Sequence, residues 1–330
     1  MKKKFTILLC ILSVFSCFLS GCQNQTSPIT KTGFYFDTVI SVTIYDSSKE
    51  YTLEKCMELA EYYENLFSPT IEGSDVWNIN HSDGSSVSVH EETVFLLNRA
   101  LYYSSLTDGL LNPAIAPLSS LWDFSSASAD SHTVPSTKDI QERLSHIDYH
   151  NIVIEEQTVM LTDQYGSIDL GCIAKGYIAD QLKEYLLEEG VDSALINLGG
   201  NVLTIGSKPD GTAFTIGIQK PFAESGITQT TVSIIDSSAV TSGIYERYFE
   251  EDGVIYHHIL DPATGYPVEN DLASVTILSS SSTDGDALST SCLLLGLTDG
   301  MELIESLPGI EALFITKDGD LYYTSGFPIP

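Results

Sequence analysis

The chain has 330 residues, with 15 basic against 45 acidic side chains and a formal net charge of −30. That balance excludes nucleic acid as a partner, because phosphate binding needs a basic face. A small polyanionic ligand would be repelled too, unless a divalent cation and a few placed donors neutralise it locally.

Lys2, Lys3 and Lys4 precede an uncharged apolar run from Phe5 to Leu19, too short to span a bilayer comfortably and flanked like a signal peptide. It ends in "LSGC", which resembles the lipobox of a bacterial lipoprotein and makes Cys22 the lipidated N-terminus. An ordinary signal peptide cleaved near Ser20 and a retained anchor are the alternatives. The expected organisation is residues 1–21 as signal, 22–32 as tether and 33–330 as one catalytic domain. The protein is then exported and lipid-anchored on the outer face of the cell membrane. Loss of the three lysines takes the charge from −30 to −33 over about 309 residues, enough for a large core. Cys56, Cys172 and Cys292 remain. An odd set without CxxC spacing argues against a disulfide framework or a zinc site and for small buried residues.

"FYFDTVISVTIY" alternates apolar and polar residues and predicts one strand. Apolar residues at helical spacing predict helices over 53–67 and 92–106. A Gly/Asn/Pro-rich loop, 107–122, and a Ser/Ala-rich surface stretch, 125–137, follow. Strands are expected within 151–162 and 166–171, leading into a helix from Ala174 to Glu188. From there to about Leu278 the pattern is strands with Gly-containing turns, including a hairpin at Asp252-Gly253. Helices over 286–297 and 299–307 and a terminal hairpin, 312–324, close the chain. With no repeat and no long linker, the fold class is α+β: a mostly antiparallel sheet with surrounding helices in a single unit.

Three stretches carry chemistry. "IDLGCIAKGYIADQL" sets Lys175 among Gly171, Ala174 and Gly176 at a helix start, where bare backbone and one scarce cation invite an anion. In "TDGDALSTSCLLLG", Asp286 and Thr290 lie at i and i+4, one turn apart on one face. They are hard oxygen ligands suited to Mg2+, although on spacing alone plain capping by Thr283, Asp284 or Asp286 is the stronger reading. "YHHILDPATGYP" ends a strand with His257 and His258 on opposite faces, so at most one faces a given pocket; a lone histidine is more often structural, but the adjoining Gly/Pro-rich loop also suits an acid or base. "NLGGNV" lets backbone approach a ligand or simply turns the chain. There is no GxGxxG, P-loop, GxSxG or HExxH. The residues alone therefore point to a metal-assisted site for a phosphorylated ligand.

Seven motifs in order resemble the FAD:protein FMN transferases, the ApbE family. They are "FDTVISV", "TDGLLNPAIAPLSSLW", "IDLGCIAKGYIADQL", "INLGGNV", "AVTSGIYERYF", "HHILDPATGYP" and "DGDALSTS". The resemblance implies an ApbE-like (T-fold-like) unit and Mg2+ held by the Ala174 carbonyl, the Asp286 carboxylate and the Thr290 hydroxyl. FAD, the substrate, would lie against Asp108, Gly109, Leu110, Lys175, Asp180, Asn197, Gly199, Gly200, Asn201, Thr241, Ser242 and Gly243. His258 would be the candidate base, also beside the flavin nucleotide. Cys172 and Ile244 depart from the residues common at their positions. The implied reaction places FMN on a Thr or Ser of an extracytoplasmic acceptor flavoprotein, or a flavin-carrying domain of a membrane redox complex, and releases AMP. A FAD pyrophosphatase and a non-catalytic flavin-binding lipoprotein are the competing readings.

Overall fold

The computed structural model describes residues 27–124, 132–224 and 226–329. The expected signal peptide, its lipidation residue Cys22 and most of the Ser/Ala-rich stretch lie outside the described residues.

The chain opens with strands β1 (Ile29–Tyr35) and β2 (Thr38–Ile44) and helices α1 (Tyr51–Phe67) and α2 (Asp75–Asn80). Strand β3 (Val87–Ser88), helices α3 (Glu91–Leu106), α4 (Ala116–Trp122) and α5 (Thr137–Leu144), and strands β4 (Ile152–Glu155) and β5 (Thr158–Leu161) follow. After α6 (Ala174–Glu188) come β6 (Ala194–Leu198), β7 (Asn201–Ile205), β8 (Phe214–Gln219), β9 (Thr228–Ile234) and β10 (Ser238–Gly243). Strands β11 (Tyr248–Glu251), β12 (Val254–His257) and β13 (Leu272–Ser279), helix α7 (Ser282–Glu305) and strands β14 (Glu311–Thr316) and β15 (Leu321–Tyr323) complete it.

The main sheet runs β1-β2-β6-β7-β10-β13-β14-β15 with every neighbouring pair antiparallel, as an α+β fold requires. Both of its faces are covered, which side-chain alternation makes visible on β14. There Ala312 and Phe314 join the large core with α1, α6 and α7, while Leu313 and Ile315 join Phe214, Ile218, Val232 and Ile234 of the β8–β9 hairpin. A third cluster of Leu118, Trp122, Phe124, Ile140, Phe249 and Leu260 joins α4 and α5 to the β11–β12 hairpin.

Helix α6 presents Ile178, Leu182 and Leu186 at four-residue spacing to the core and stops before Gly190, whose φ of 75° suits a helix terminus. Tyr177 packs edge-on against Tyr63 and Phe67 of α1, with ring centres 5.5 and 5.7 Å apart. In α7, Gly296 (φ 80°) breaks the run where the sequence predicts two helices.

Four local expectations are corrected. "FYFDTVISVTIY" is a hairpin whose corner, Phe36 and Asp37, has φ of 53° and 55°. Among the described residues the first strand begins at Ile29, so the last four residues of the expected tether are strand. The 107–122 loop contains α4, and 137–144 is helical. Residues 166–171 are not a ladder strand. Asn80 brackets Ile168 (Ile168 N donates to Oδ1 at 2.7 Å, Nδ2 donates to Ile168 O at 2.9 Å), and Asp169 N donates to Pro113 O at 2.8 Å.

Candidate active site

The site forms where the N-terminus of α6 meets the first turns of α7. The helices touch so closely at Gly176 that an added Cβ would overlap the Ser282 carbonyl and lie 2.8 Å from Asp286 Cβ. The Gly176 N–H donates to Asp286 Oδ2 at 2.8 Å. Asp286 is 2% exposed, and no lysine or arginine among the described residues forms an ion pair with it. A buried carboxylate so placed is costly unless a cation joins it. Thr290, one turn on, is half-buried, and its Oγ1 is 3.2 Å from Ser242 Oγ, which lies 2.7 Å from Ser289 Oγ. Ala174, the first residue of α6, is on the same helix end, and Lys175 donates to Gly171 O at 3.2 Å.

The glycine-rich turn arrives from the sheet. Gly199 and Gly200, with φ of 58° and 105°, join β6 to β7, and Gly200 N donates to Asn197 Oδ1 at 3.3 Å. A side chain at Gly199 would overlap Thr38, so "FDT" and "LGG" pack together although far apart in sequence. A Cβ on Gly200 would lie 3.7 Å from the Thr241 carbonyl, next to Ser242 and Gly243. Asn201 is 2% exposed, and its Nδ2 has no partner among the described residues. An unpartnered buried donor costs roughly 1–3 kcal/mol.

His258 closes another side. Its N–H and Nδ1 both meet the Arg247 carbonyl, at 3.1 and 3.2 Å. A carbonyl only accepts, so Nδ1 carries the proton and the Nε2 lone pair is left to take one. Burial first, then the Arg247 charge, holds the His258 pKa well below the usual histidine range. Lys175 acts on His258, and Lys175, Arg247 and Asp286 act on Glu246, so these groups share one electrostatic neighbourhood. The Glu246 residue keeps exposed surface, and desolvation of its carboxyl pushes its pKa up to about 7. Glu246 and Arg247 were visible in the sequence only as part of "TSGIYER".

Asp108, Gly109 and Leu110 sit beyond the end of α3, with Gly109 (φ 84°) against the Tyr149 ring. Further along the same loop the Pro113 carbonyl accepts from Asp169 N, five residues before α6. Asp180, expected against the flavin, commits both oxygens to α7. Oδ1 accepts from Ser282 N at 2.8 Å, and Oδ2 accepts from Ser281 Oγ, Thr283 N and Thr283 Oγ1 at 3.1, 2.9 and 2.6 Å. Burial nevertheless raises its pKa. Cys56 and Cys292 are buried free thiols as expected, whereas Cys172 is half-buried, with a pKa pushed up to about 12 by burial.

His257 faces the interior, 4% exposed, and burial, then the Lys317 charge, pulls its pKa to about 4. An imidazole held neutral contributes full stability above its unfolded pKa of about 6.5 and loses it as pH falls toward 4. The loss should reach about 3 kcal/mol, and His257→Leu should flatten that part of the profile. Urea unfolding between pH 4 and 7 measures it; equal slopes in both proteins would contradict the account.

Two helix ends, bare glycine backbone, a buried carboxylate with no cation partner among the described residues, hydroxyls and a neutral histidine are groups that phosphoryl transfer calls on. The chain belongs to the ApbE family, whose model matches residues 36–314. It is 40% identical over 84% of its length to a Klebsiella pneumoniae protein named FAD:protein FMN transferase, covering 86% of that protein. Among solved structures it resembles the ApbE protein of Thermotoga maritima (TM-score 0.84, 31% identity, 91% of this chain and 97% of that one). It also resembles the flavinyl transferase ApbE of Pseudomonas stutzeri (TM-score 0.80, 28% identity, 92% and 96%).

Proposed function

We propose that the protein is a flavin transferase that cleaves FAD and joins FMN to a Thr or Ser hydroxyl of an acceptor protein. The hydroxyl oxygen forms a bond to the FMN-side phosphorus, the pyrophosphate P–O bond breaks, and AMP leaves. The observation that carries this is the buried Asp286 carboxylate, without a cation partner among the described residues, seated on the α6 N-terminus beside Thr290. That donor set fits Mg2+, with the Ala174 carbonyl, Asp286 and Thr290 as ligands. When bound, the ion supplies local neutralisation of the pyrophosphate charge.

The chain's own residues do the rest. Lys175 and the glycine backbone receive the phosphates, and the Gly199-Gly200 turn and Thr241–Gly243 border the nucleotide. His258 Nε2 takes the proton of the attacking hydroxyl, a contribution of roughly 10²–10⁴ in rate. Positioning and charge complementarity supply the larger share. Because His258 is held neutral, the acid limb of kcat/KM should lie below pH 6.5. Arg247→Gln removes a neighbouring positive charge, raises the His258 pKa and should move that limb upward. A limb that stays put would remove His258 from the base role.

The lysine-flanked apolar run and "LSGC" support export and a lipid anchor at Cys22, with acceptors on the outer side of the membrane. The test is to incubate residues 23–330 with FAD and Mg2+, with and without a candidate acceptor domain, and follow AMP and protein-bound flavin. AMP with flavin on the acceptor supports transfer. AMP without an acceptor makes the protein a FAD pyrophosphatase, and bound FAD with no AMP contradicts catalysis.

A further inference from the structure

We infer that Asp180 is a positioning residue: it locks the first turn of α7 onto α6 and so sets the spacing between the Ala174 carbonyl on one helix and Asp286 and Thr290 on the other. The inference rests on the metal site proposed above and adds a residue whose four hydrogen bonds all go to Ser281, Ser282 and Thr283.

A helix begins with backbone N–H groups that have no intrahelical partner. In α7 those of Ser282 and Thr283 go to Asp180, while that of Asp284 goes to Ser281 Oγ at 3.2 Å. A local serine cap would have served α7 alone. Here the principal acceptor is a carboxylate 101–103 residues earlier in the chain, on a different helix, so the cap is also a tie. A carboxylate at that end meets the positive pole of the helix, and its four donors make a charge-assisted cluster.

The tie acts where the geometry matters. Asp180 lies one turn after Gly176 on α6, on the same face, and Gly176 N–H holds Asp286. The two α6 residues thus grip α7 at Ser281–Thr283 and at Asp286, one turn apart. Arg99 of α3 holds Asp284 between those grips, its guanidinium also 3.1 Å from the Tyr103 hydroxyl. Rotation or sliding of α7 against α6 would break the Asp180 cluster first and would carry Asp286 and Thr290 away from Ala174.

The readout is Mn2+ binding, followed by electron paramagnetic resonance with FAD present and acceptor absent, in the wild type, Asp180→Asn and Thr283→Val. The asparagine turns an NH2 toward donors, and the isosteric valine removes only one of the four bonds. Mn2+ affinity should fall about 10–100-fold in Asp180→Asn, as for groups that orient metal ligands, and by a smaller factor in Thr283→Val. The KM for FAD at saturating metal should stay within about twofold, and added metal should restore kcat. Wild-type Mn2+ affinity in both variants overturns the inference, and a raised FAD KM with unchanged metal affinity makes Asp180 a flavin contact instead. Failure of the underlying site looks different: the wild type itself would show no Mn2+ binding sensitive to Asp286→Ala, and this inference would fall with it.

Discussion

Asp286→Ala is expected to abolish metal-dependent turnover, a loss of about 10³-fold or more. The alanine removes the buried Asp286 carboxylate from the helix junction and also strips the Gly176 N–H of its acceptor. That second effect alone costs roughly 1–3 kcal/mol of stability, so a dead enzyme could be a loosened one. Asp286→Asn separates the two. Its amide oxygen can still accept from Gly176, the fold should stay within about 1 kcal/mol of the wild type, and the charge is gone. Activity with the asparagine should remain as low as with the alanine, with AMP release and thermal unfolding measured on the same preparations. Full activity in Asp286→Asn would sink the metal assignment.

Gly176→Ala should damage the protein despite improving the helix. Alanine is favoured over glycine by roughly 1 kcal/mol in a helix interior, and Gly176 lies within α6. Against that stands a Cβ driven into the backbone of α7 at Ser282 and to 2.8 Å from Asp286 Cβ. Backbone yields less readily than a side-chain end, and such overpacking costs about 1–3 kcal/mol or more. The tertiary term should win. Unfolding should occur at a lower temperature, and kcat should fall more than the modest stability loss suggests, because α7 carries Asp286 and Thr290. Calorimetry together with FAD turnover tests it; a raised melting temperature with normal turnover would mean the helices approach less rigidly than described.

The legible parts of the fold are those in which local chemistry and tertiary role agree. The bounds of α6 follow from Ile178, Leu182 and Leu186 and from a glycine at the stop. The β11–β12 hairpin follows from Asp252-Gly253, both at positive φ. The corner at Phe36-Asp37 was illegible because Phe36 is no turn former and Asp37 is followed by Thr38 rather than by the glycine that marks a tight hairpin. Its Phe36 N–H is satisfied at 2.6 Å by Glu64, a partner 28 residues away. The stretch before α6 looks like a strand because its composition suits one, yet its hydrogen bonds go to Asn80 and Pro113.

In the candidate site, the i, i+4 pair Asp286/Thr290 could be read from spacing. Its junction with Gly176 could not, because it joins residues 110 apart. Asp180 came to notice only through family resemblance. Its four donors lie on another helix, so no local pattern could have shown which way the carboxylate turns.

Strand β2 pairs with β6, Ile44 against Ala194, so the sheet's first hairpin joins the rest across about 150 intervening residues. Those residues hold α1 to α6 and the small β3-β5-β4 sheet. A chain emerging N-terminus first would therefore carry β1 and β2 as an orphan hairpin with one edge open until α6 and β6 had followed. Closure over that span makes folding slow and leaves a bare strand edge waiting. The catalytic junction at Gly176 and Asp286 is completed later still, once α7 has arrived.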